Sequence, residues 1–277
     1  KQYPNIKLVK VENNEAFWGN KKFALTLGIK AAKYEYLLFT DADCYPTSKD
    51  WITSMSAQFT QQKNIVLGYG AYEKISNSFL NKIIRFETLL TATQYFSWAK
   101  IGKPYMGIGR NMAYKREEFF KVRGFMDHMK IRSGDDDLFI NQAATKKNTA
   151  ILYTPESFTF SEPKTTFSSW IYQKRRHATT AKFYKGFDKF QLGLFFFSQF
   201  WFLVLAIVLL AFQFQWMIVT GIIVFRYLFT WISLGYAAGK LKEKDVMYWY
   251  PIIEIVLIFT QLSVFFRNLI SKPVHWK

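Results

Sequence analysis

The chain has 277 residues, of which 50% are hydrophobic and 19% aromatic, and it carries a formal net charge of +17. Its mean hydropathy is nevertheless only -0.03, so apolar and charged residues are segregated along the chain, which excludes a disordered protein and a uniformly soluble one. A single cysteine, Cys44, excludes an internal disulfide framework and a structural zinc site of several thiolates. Any chemistry must come from carboxylates, bases and oxygen-bound metals.

Residues 6–11 (IKLVKV) form an extended apolar run, and residues 23–32 (FALTLGIKAA) space their apolar positions as a helix does. Residues 34–40 (YEYLLFT) are a continuous apolar run suited to a buried parallel strand, with Asp41-Ala42-Asp43 at its end. Ser48 is expected to cap a helix carrying Trp51, Ile52, Met55 and Phe59, and residues 65–70 read as another strand. The aromatic-rich residues 79–98 predict a helix used for core or membrane-surface packing. Residues 107–115 (GIGRNMAYK) predict a strand with a glycine bulge at Gly107 and Gly109. This alternation argues for an α/β layer on a largely parallel sheet over about the first 190 residues. There is no internal repeat and no low-complexity segment.

A charge of +17 calls for a polyanionic partner, nucleic acid or anionic lipid, and hydropathy favours lipid. Residues 192–212 run about 21 positions without a charge, long enough to cross the hydrocarbon core as a helix. After three residues a second span follows at about 216–235, interrupted by Arg226, and the two predict a hairpin. A third apolar segment, about 249–266, carries Pro251 and Glu254. The expected division is a catalytic domain at 1–189 and a membrane domain at 190–277. Arg175, Arg176, Lys182, Lys185 and Lys189 before the first span, and Lys240, Lys242 and Lys244 after the second, place both flanks in the cytoplasm. A third full crossing would put Arg267, Lys272 and Lys277 outside, against the same rule, so a re-entrant or interfacial third segment is the alternative. Arg226 is costly in a span and should face other helices, pairing with Glu254.

Three places concentrate groups that a stable core avoids. Two carboxylates two residues apart, Asp41 and Asp43, at the carboxyl end of a strand suit a hard divalent cation bridging to phosphates; the alternative is a simple chain turn before Pro46. In Ser133-Gly134-Asp135-Asp136-Asp137-Leu138 three adjacent carboxylates repel one another and raise at least one pKa, as a general base requires, although acidic residues also favour helix N-termini. In Gln173-Lys174-Arg175-Arg176-His177, a helix would put Gln173, Arg176 and His177 on one face, suited to anions or sugar hydroxyls; the alternative is a polybasic segment at the membrane surface. His128 and His275 have no spacing partners and are expected to be surface or interfacial groups, and Cys44 a small filler beside the metal site.

The order of these places, YEYLLFTDADCYP, then SGDDDLFI, then QKRRH before apolar helices, resembles the family 2 glycosyltransferases over about residues 6–177. The resemblance implies a GT-A domain followed by transmembrane helices. It implies that Asp41 and Asp43 hold Mg2+ or Mn2+ against the diphosphate of a nucleotide-sugar, with Asp43 the more direct ligand. Asp136 matches the catalytic base of an inverting transfer, Asp135 stands where glutamate is commoner, and Asp137 is the alternative base. Gln173 and Arg176 would help hold the diphosphate, while Gly109, Asn111 and His177 would line the acceptor side. His177 replaces the family's usual tryptophan, and the family's first strand, which holds the nucleobase, has no counterpart before Ile6. The amino-terminal part is therefore expected to be missing.

The expected protein is an integral membrane glycosyltransferase of a bacterial inner membrane, its catalytic domain in the cytoplasm. It would move one sugar, from UDP by resemblance, to a lipid-linked or membrane-adjacent glycan acceptor, with no nucleic-acid partner. The alternatives are a non-catalytic relative serving as an assembly partner, or a membrane-tethered nucleic-acid-binding protein.

Overall fold

The computed structural model describes residues 5–11, 20–131 and 133–271; Lys272, His275 and Lys277 lie outside them. Residues 6–11 form no strand, and Ile6 and Leu8 are exposed. The elements then follow as α1 (Asn20–Ala31), β1 (Tyr36–Phe39), β2 (Cys44–Pro46), α2 (Trp51–Ser56), β3 (Ile65–Leu67), β4 (Gly70–Tyr72), α3 (Phe79–Lys100), β5 (Met112–Lys115) and α4 (Arg116–Lys121). After these come α5 (Asp137–Ala143), β6 (Thr149–Ile151), β7 (Thr159–Ser161), α6 (Phe167–Ala178), α7 (Gly186–Ala211), α8 (Trp216–Lys240) and α9 (Tyr250–Ile270).

The four-stranded sheet has the order β1-β5-β3-β6, in which β5 pairs antiparallel with both β1 and β3, and only β3 and β6 pair in parallel. A three-stranded sheet, β2-β7-β4, is likewise mixed. This corrects the expectation of a largely parallel sheet. It also corrects that of a buried parallel β1, which lies at the sheet edge with β5 as its neighbour, half-buried and with Tyr36 exposed. An apolar run reports burial on both faces, but strand direction depends on a partner some 75 positions away, as in the Leu37–Tyr114 pairing.

Local chemistry sets the helix starts. The Ser78 hydroxyl accepts from the Asn81 N–H at 3.1 Å to begin α3, and Thr166 accepts from the Ser169 N–H at 3.2 Å to begin α6. Ser48 accepts from the Asp50 N–H at 3.0 Å, one step before α2. Pro251 falls in the first turn of α9, where its missing N–H costs nothing. The main core is aromatic. Tyr114, Phe119, Phe125 and Phe139 are fully buried and touch through their rings, with Tyr114–Phe139 centroids 4.5 Å apart, so α5 is seated by Phe139 on the back of β5.

Among the described residues, three helical segments, Gly186–Ala211, Trp216–Lys240 and Lys244–Ile270, are long and apolar enough to cross a membrane. Arg226 pairs with Glu254 as expected, Nη2 to Oε1 at 2.5 Å and Nη1 to Oε2 at 3.0 Å, and its guanidinium lies 4.4 Å over the Phe202 ring, so one cation joins α7, α8 and α9. The root of α8 is held by a charge cluster in which Arg85 and Glu243 are buried and Asp245 and Lys74 are part-exposed. Arg85 of α3 donates through Nε to Glu243 at 2.9 Å and through Nη1 to Asp245 at 2.8 Å, and Lys74 reaches Asp245 at 2.9 Å. Burial pushes the Glu243 carboxyl up to about 6, against the pull of Arg85.

Removing Arg85 would leave Glu243, 2% exposed, as an uncompensated buried carboxylate. Arg85→Met should therefore destabilise the fold by about 3–5 kcal/mol, while Arg85→Met with Glu243→Leu recovers most of it. Thermal unfolding in detergent checks both; equal losses in the single and double variants would refute the assignment.

Candidate active site

The three aspartates of the 135–137 triplet receive three different environments. Gly134, at φ +90, makes the turn that delivers them; a Cβ there would meet Leu138 Cδ1 at 2.5 Å. Asp135 is buried and its Oδ2 meets the Lys21 ammonium at 2.9 Å. Asp137 is buried and accepts from the hydroxyls of Thr180 at 2.5 Å and Tyr184 at 2.6 Å. Asp136 caps α5, accepting the Asp137 N–H at 2.8 Å and the Gly109 N–H at 2.7 Å, and is half-buried. Desolvation, then the charges of Asp135 and Asp137, raise its pKa from 3.8 to about 7, outweighing the two N–H donors.

Lys21, in the first turn of α1, joins this triplet to the turn after β1, since its Nζ also meets Asp41 Oδ1 at 3.0 Å. Burial opposes its charge, but Asp135 and Asp41 outweigh that and raise its pKa. The next residue, Lys22, is fully buried and donates to the carbonyls of His128 at 2.9 Å and Ile131 at 3.0 Å, with its pKa lowered by burial to about 8. His128, expected at the surface, is buried instead. Desolvation and Lys22 bring it down to about 4, so it is a neutral core residue.

The ligand atoms of Asp41, Asp43 and Cys44 lie within 4.8 Å of one another. Burial, opposed by Arg110, together with the two aspartates keeps the Cys44 thiol protonated, and Sγ donates to Asp43 Oδ1 at 3.6 Å. The donor set is therefore two carboxylates with an open, solvent-facing side at Asp43, which fits a hard cation that completes its shell with phosphate and water.

The segment before β5 closes the other wall. Gly109 brings its backbone against Asp136; a Cβ there would sit 3.3 Å from Asp136 Oδ2. Arg110 stacks 4.2 Å over the Tyr72 ring and donates to Ser161 Oγ at 2.7 Å. Asn111, expected on the acceptor side, does not reach the cleft: it is fully buried, donating to the carbonyls of Tyr69 and Ser157 and accepting from Trp51 Nε1 at 3.1 Å. On α6, Gln173 and Arg176 are half-buried on one face. His177 is solvent-accessible, and the shielding of the surrounding protein, then Lys174, Arg176, Arg110 and Lys21, lowers its pKa.

Lys21, Arg110, Thr180 and Tyr184 were not foreseen from the sequence. Thr180 and Tyr184 lie just past QKRRH in an unremarkable stretch, and Lys21 sits in a basic pair among many. Only the fold brings it to two aspartates, 20 and 114 positions away.

A mixed α/β layer of this kind, with acidic turns on one rim and apolar helices behind, is a glycosyltransferase fold. The family model of glycosyl transferase family 21 matches residues 1–277, and the chain belongs to that family. The likeness to family 2 remains one of motif order. Among solved structures, a mannosyltransferase from Pyrobaculum calidifontis in complex with GDP-Man and Mn2+ is similar at 16% identity and a TM-score of 0.46. The similarity covers 86% of this chain and 66% of that one. No curated protein matches the chain.

The raised pKa of Asp136 has a consequence for stability. The folded state holds this proton more tightly than the unfolded chain, so the contribution is fully present below about pH 4 and is lost as the pH rises to about 7. Asp136→Asn, uncharged throughout, should gain thermal midpoint over wild type at pH 8 and not at pH 4. A gain equal at both pH values would refute the shift.

Proposed function

We propose that this protein is a membrane-anchored, metal-dependent, inverting glycosyltransferase that moves a sugar from a nucleotide-sugar to a hydroxyl of a lipid-linked or membrane-adjacent glycan acceptor. The observation that carries the reading is the joining, through Lys21, of the Asp41/Asp43 turn to the Asp135–Asp137 triplet in a chain of a glycosyltransferase family. The donor is a UDP-sugar by the resemblance of the motifs. The apolar helices and the basic residues at their roots support a catalytic layer, about residues 1–189, on the cytoplasmic face of a cell membrane, with residues 190–277 as the membrane part.

Asp41 and Asp43 would hold Mg2+ or Mn2+, which neutralises charge developing on the departing nucleoside diphosphate. Asp136 takes the proton of the acceptor hydroxyl as that oxygen attacks the anomeric carbon. Its fitness follows from its neighbours: Asp135 is held by Lys21 and Asp137 by two hydroxyls, whereas among the described residues Asp136 accepts only from N–H donors, with its pKa raised to about 7. Lys21 keeps the metal turn and the base at a fixed spacing. Gln173, Arg176 and His177 offer an amide, a cation and a neutral imidazole to the diphosphate and acceptor.

Calorimetry of UDP binding to the detergent-purified chain, with and without Mn2+, tests the donor site: binding should require the metal and vanish in Asp43→Ala. Asp136→Asn should retain UDP binding and lose about 10²–10⁴-fold in kcat. In wild type, kcat/KM should rise with pH up to about 7, because the base acts only when deprotonated. Wild-type turnover in Asp136→Asn would remove the base assignment, and absence of turnover in both proteins would favour the non-catalytic assembly partner.

A further inference from the structure

By length and composition α9 qualifies as a third membrane crossing. A crossing helix carries its two ends to opposite faces of the bilayer, about 30 Å apart. The two ends of α9 instead hang on one and the same layer. At its start, Trp249 meets Phe79 of α3 with ring centroids 5.6 Å apart, Tyr250 stacks on Phe86 of α3 at 5.6 Å, and Asp245 just upstream is held by Arg85 and Lys74. At its end, Arg175 of α6 donates to Asn268 Oδ1 at 3.0 Å and to the Ser271 carbonyl at 2.6 Å, and Asn268 Nδ2 donates back to the Arg175 carbonyl at 2.9 Å. α3 and α6 are themselves joined by Lys174 and Glu87 at 2.6 Å.

The two faces of α9 differ accordingly. Tyr250, Ile253, Glu254, Leu257, Ile258 and Val264 recur at helical spacing and are buried against the protein. Ile252, Ile255, Phe259, Phe266, Leu269 and Ile270 lie on other faces and are exposed. The buried face joins α8 through Arg226–Glu254 and Tyr227–Tyr250. Charged groups bracket the helix, the part-exposed Asp245 with Lys74 at one end and the half-buried Arg175 with the exposed Arg267 at the other.

We infer that α9 lies in the plane of the membrane surface, its outer face in the headgroup and upper acyl region of the bilayer, and that it does not cross. The chain then crosses only through the α7–α8 hairpin, and Ser271 returns to the side of the catalytic layer. This also removes the conflict between Arg267 and the retention of basic residues on one side. It places lipid next to α6, the helix that carries Gln173, Arg176 and His177. The inference rests on the contacts of α9 and holds whatever sugar is transferred.

The test is sidedness. In a Cys44→Ser background, single cysteines at Lys147 in the catalytic layer, Gln213 at the hairpin tip and Ser271 after α9 are labelled with a membrane-impermeant maleimide in sealed vesicles of both orientations. Lys147→Cys and Ser271→Cys should label from one side, and Gln213→Cys from the other. Labelling of Ser271→Cys from the side opposite to Lys147→Cys would overturn the inference. An epitope fused after Lys277 in the otherwise unaltered chain gives a second readout, since protease should remove it only from the side that also cuts the catalytic layer; removal from the opposite side alone would equally overturn it.

Discussion

Three carboxylates on consecutive residues repel one another, and the architecture around α5 follows from how that repulsion is relieved. Asp135 is given a cation, Lys21, and Asp137 two hydroxyls that only partly offset its burial, while among the described residues Asp136 accepts only from backbone donors and is raised to about 7. Each partner comes from a different part of the chain: α1 for Lys21, the stretch after α6 for Thr180 and Tyr184, and the turn before β5 for Gly109. Holding the triplet together therefore holds the cleft together. The aromatic cluster under Phe139 keeps the start of α5 from drawing away.

Neighbouring contacts join the long apolar helices to the acidic triplet. Tyr184 lies one residue before the cap of α7, and Asn141 of α5 donates to Asp188 at 2.8 Å while accepting the Lys185 N–H at 3.1 Å. The first apolar helix is thus rooted on the helix that carries Asp136. The second is rooted on α3 through Arg85 and Glu243, and the third spans from α3 to α6.

Much of the site was legible because its residue types are uneconomical elsewhere. Paired aspartates after an apolar strand, three adjacent carboxylates and a basic amphipathic helix are poor core and conspicuous in sequence, and the Arg226–Glu254 pair was foreseen because an unpaired charge in an apolar span is expensive. What failed did so where a residue's role depends on its neighbours in space. Asn111 has the chemistry of a ligand-binding amide yet serves as a buried strut, since only the fold sets the Tyr69, Ser157 and Trp51 groups around it. His128 has no spacing partner in sequence to mark its place, but Lys22 donates to its carbonyl and Phe125 packs against its ring.

By itself the sequence determined the α/β class, the approximate positions of the long apolar helices and the carboxylates available for chemistry, because hydrophobic periodicity and the cost of burying charge act locally. The tertiary structure decided strand direction, which of three aspartates is left to titrate near neutrality, and how α9 meets the catalytic layer. These depend on pairings between residues tens to more than a hundred positions apart, such as Lys21 with Asp135 and Arg175 with Ser271, and a pairing energy of that range leaves no mark in the local pattern.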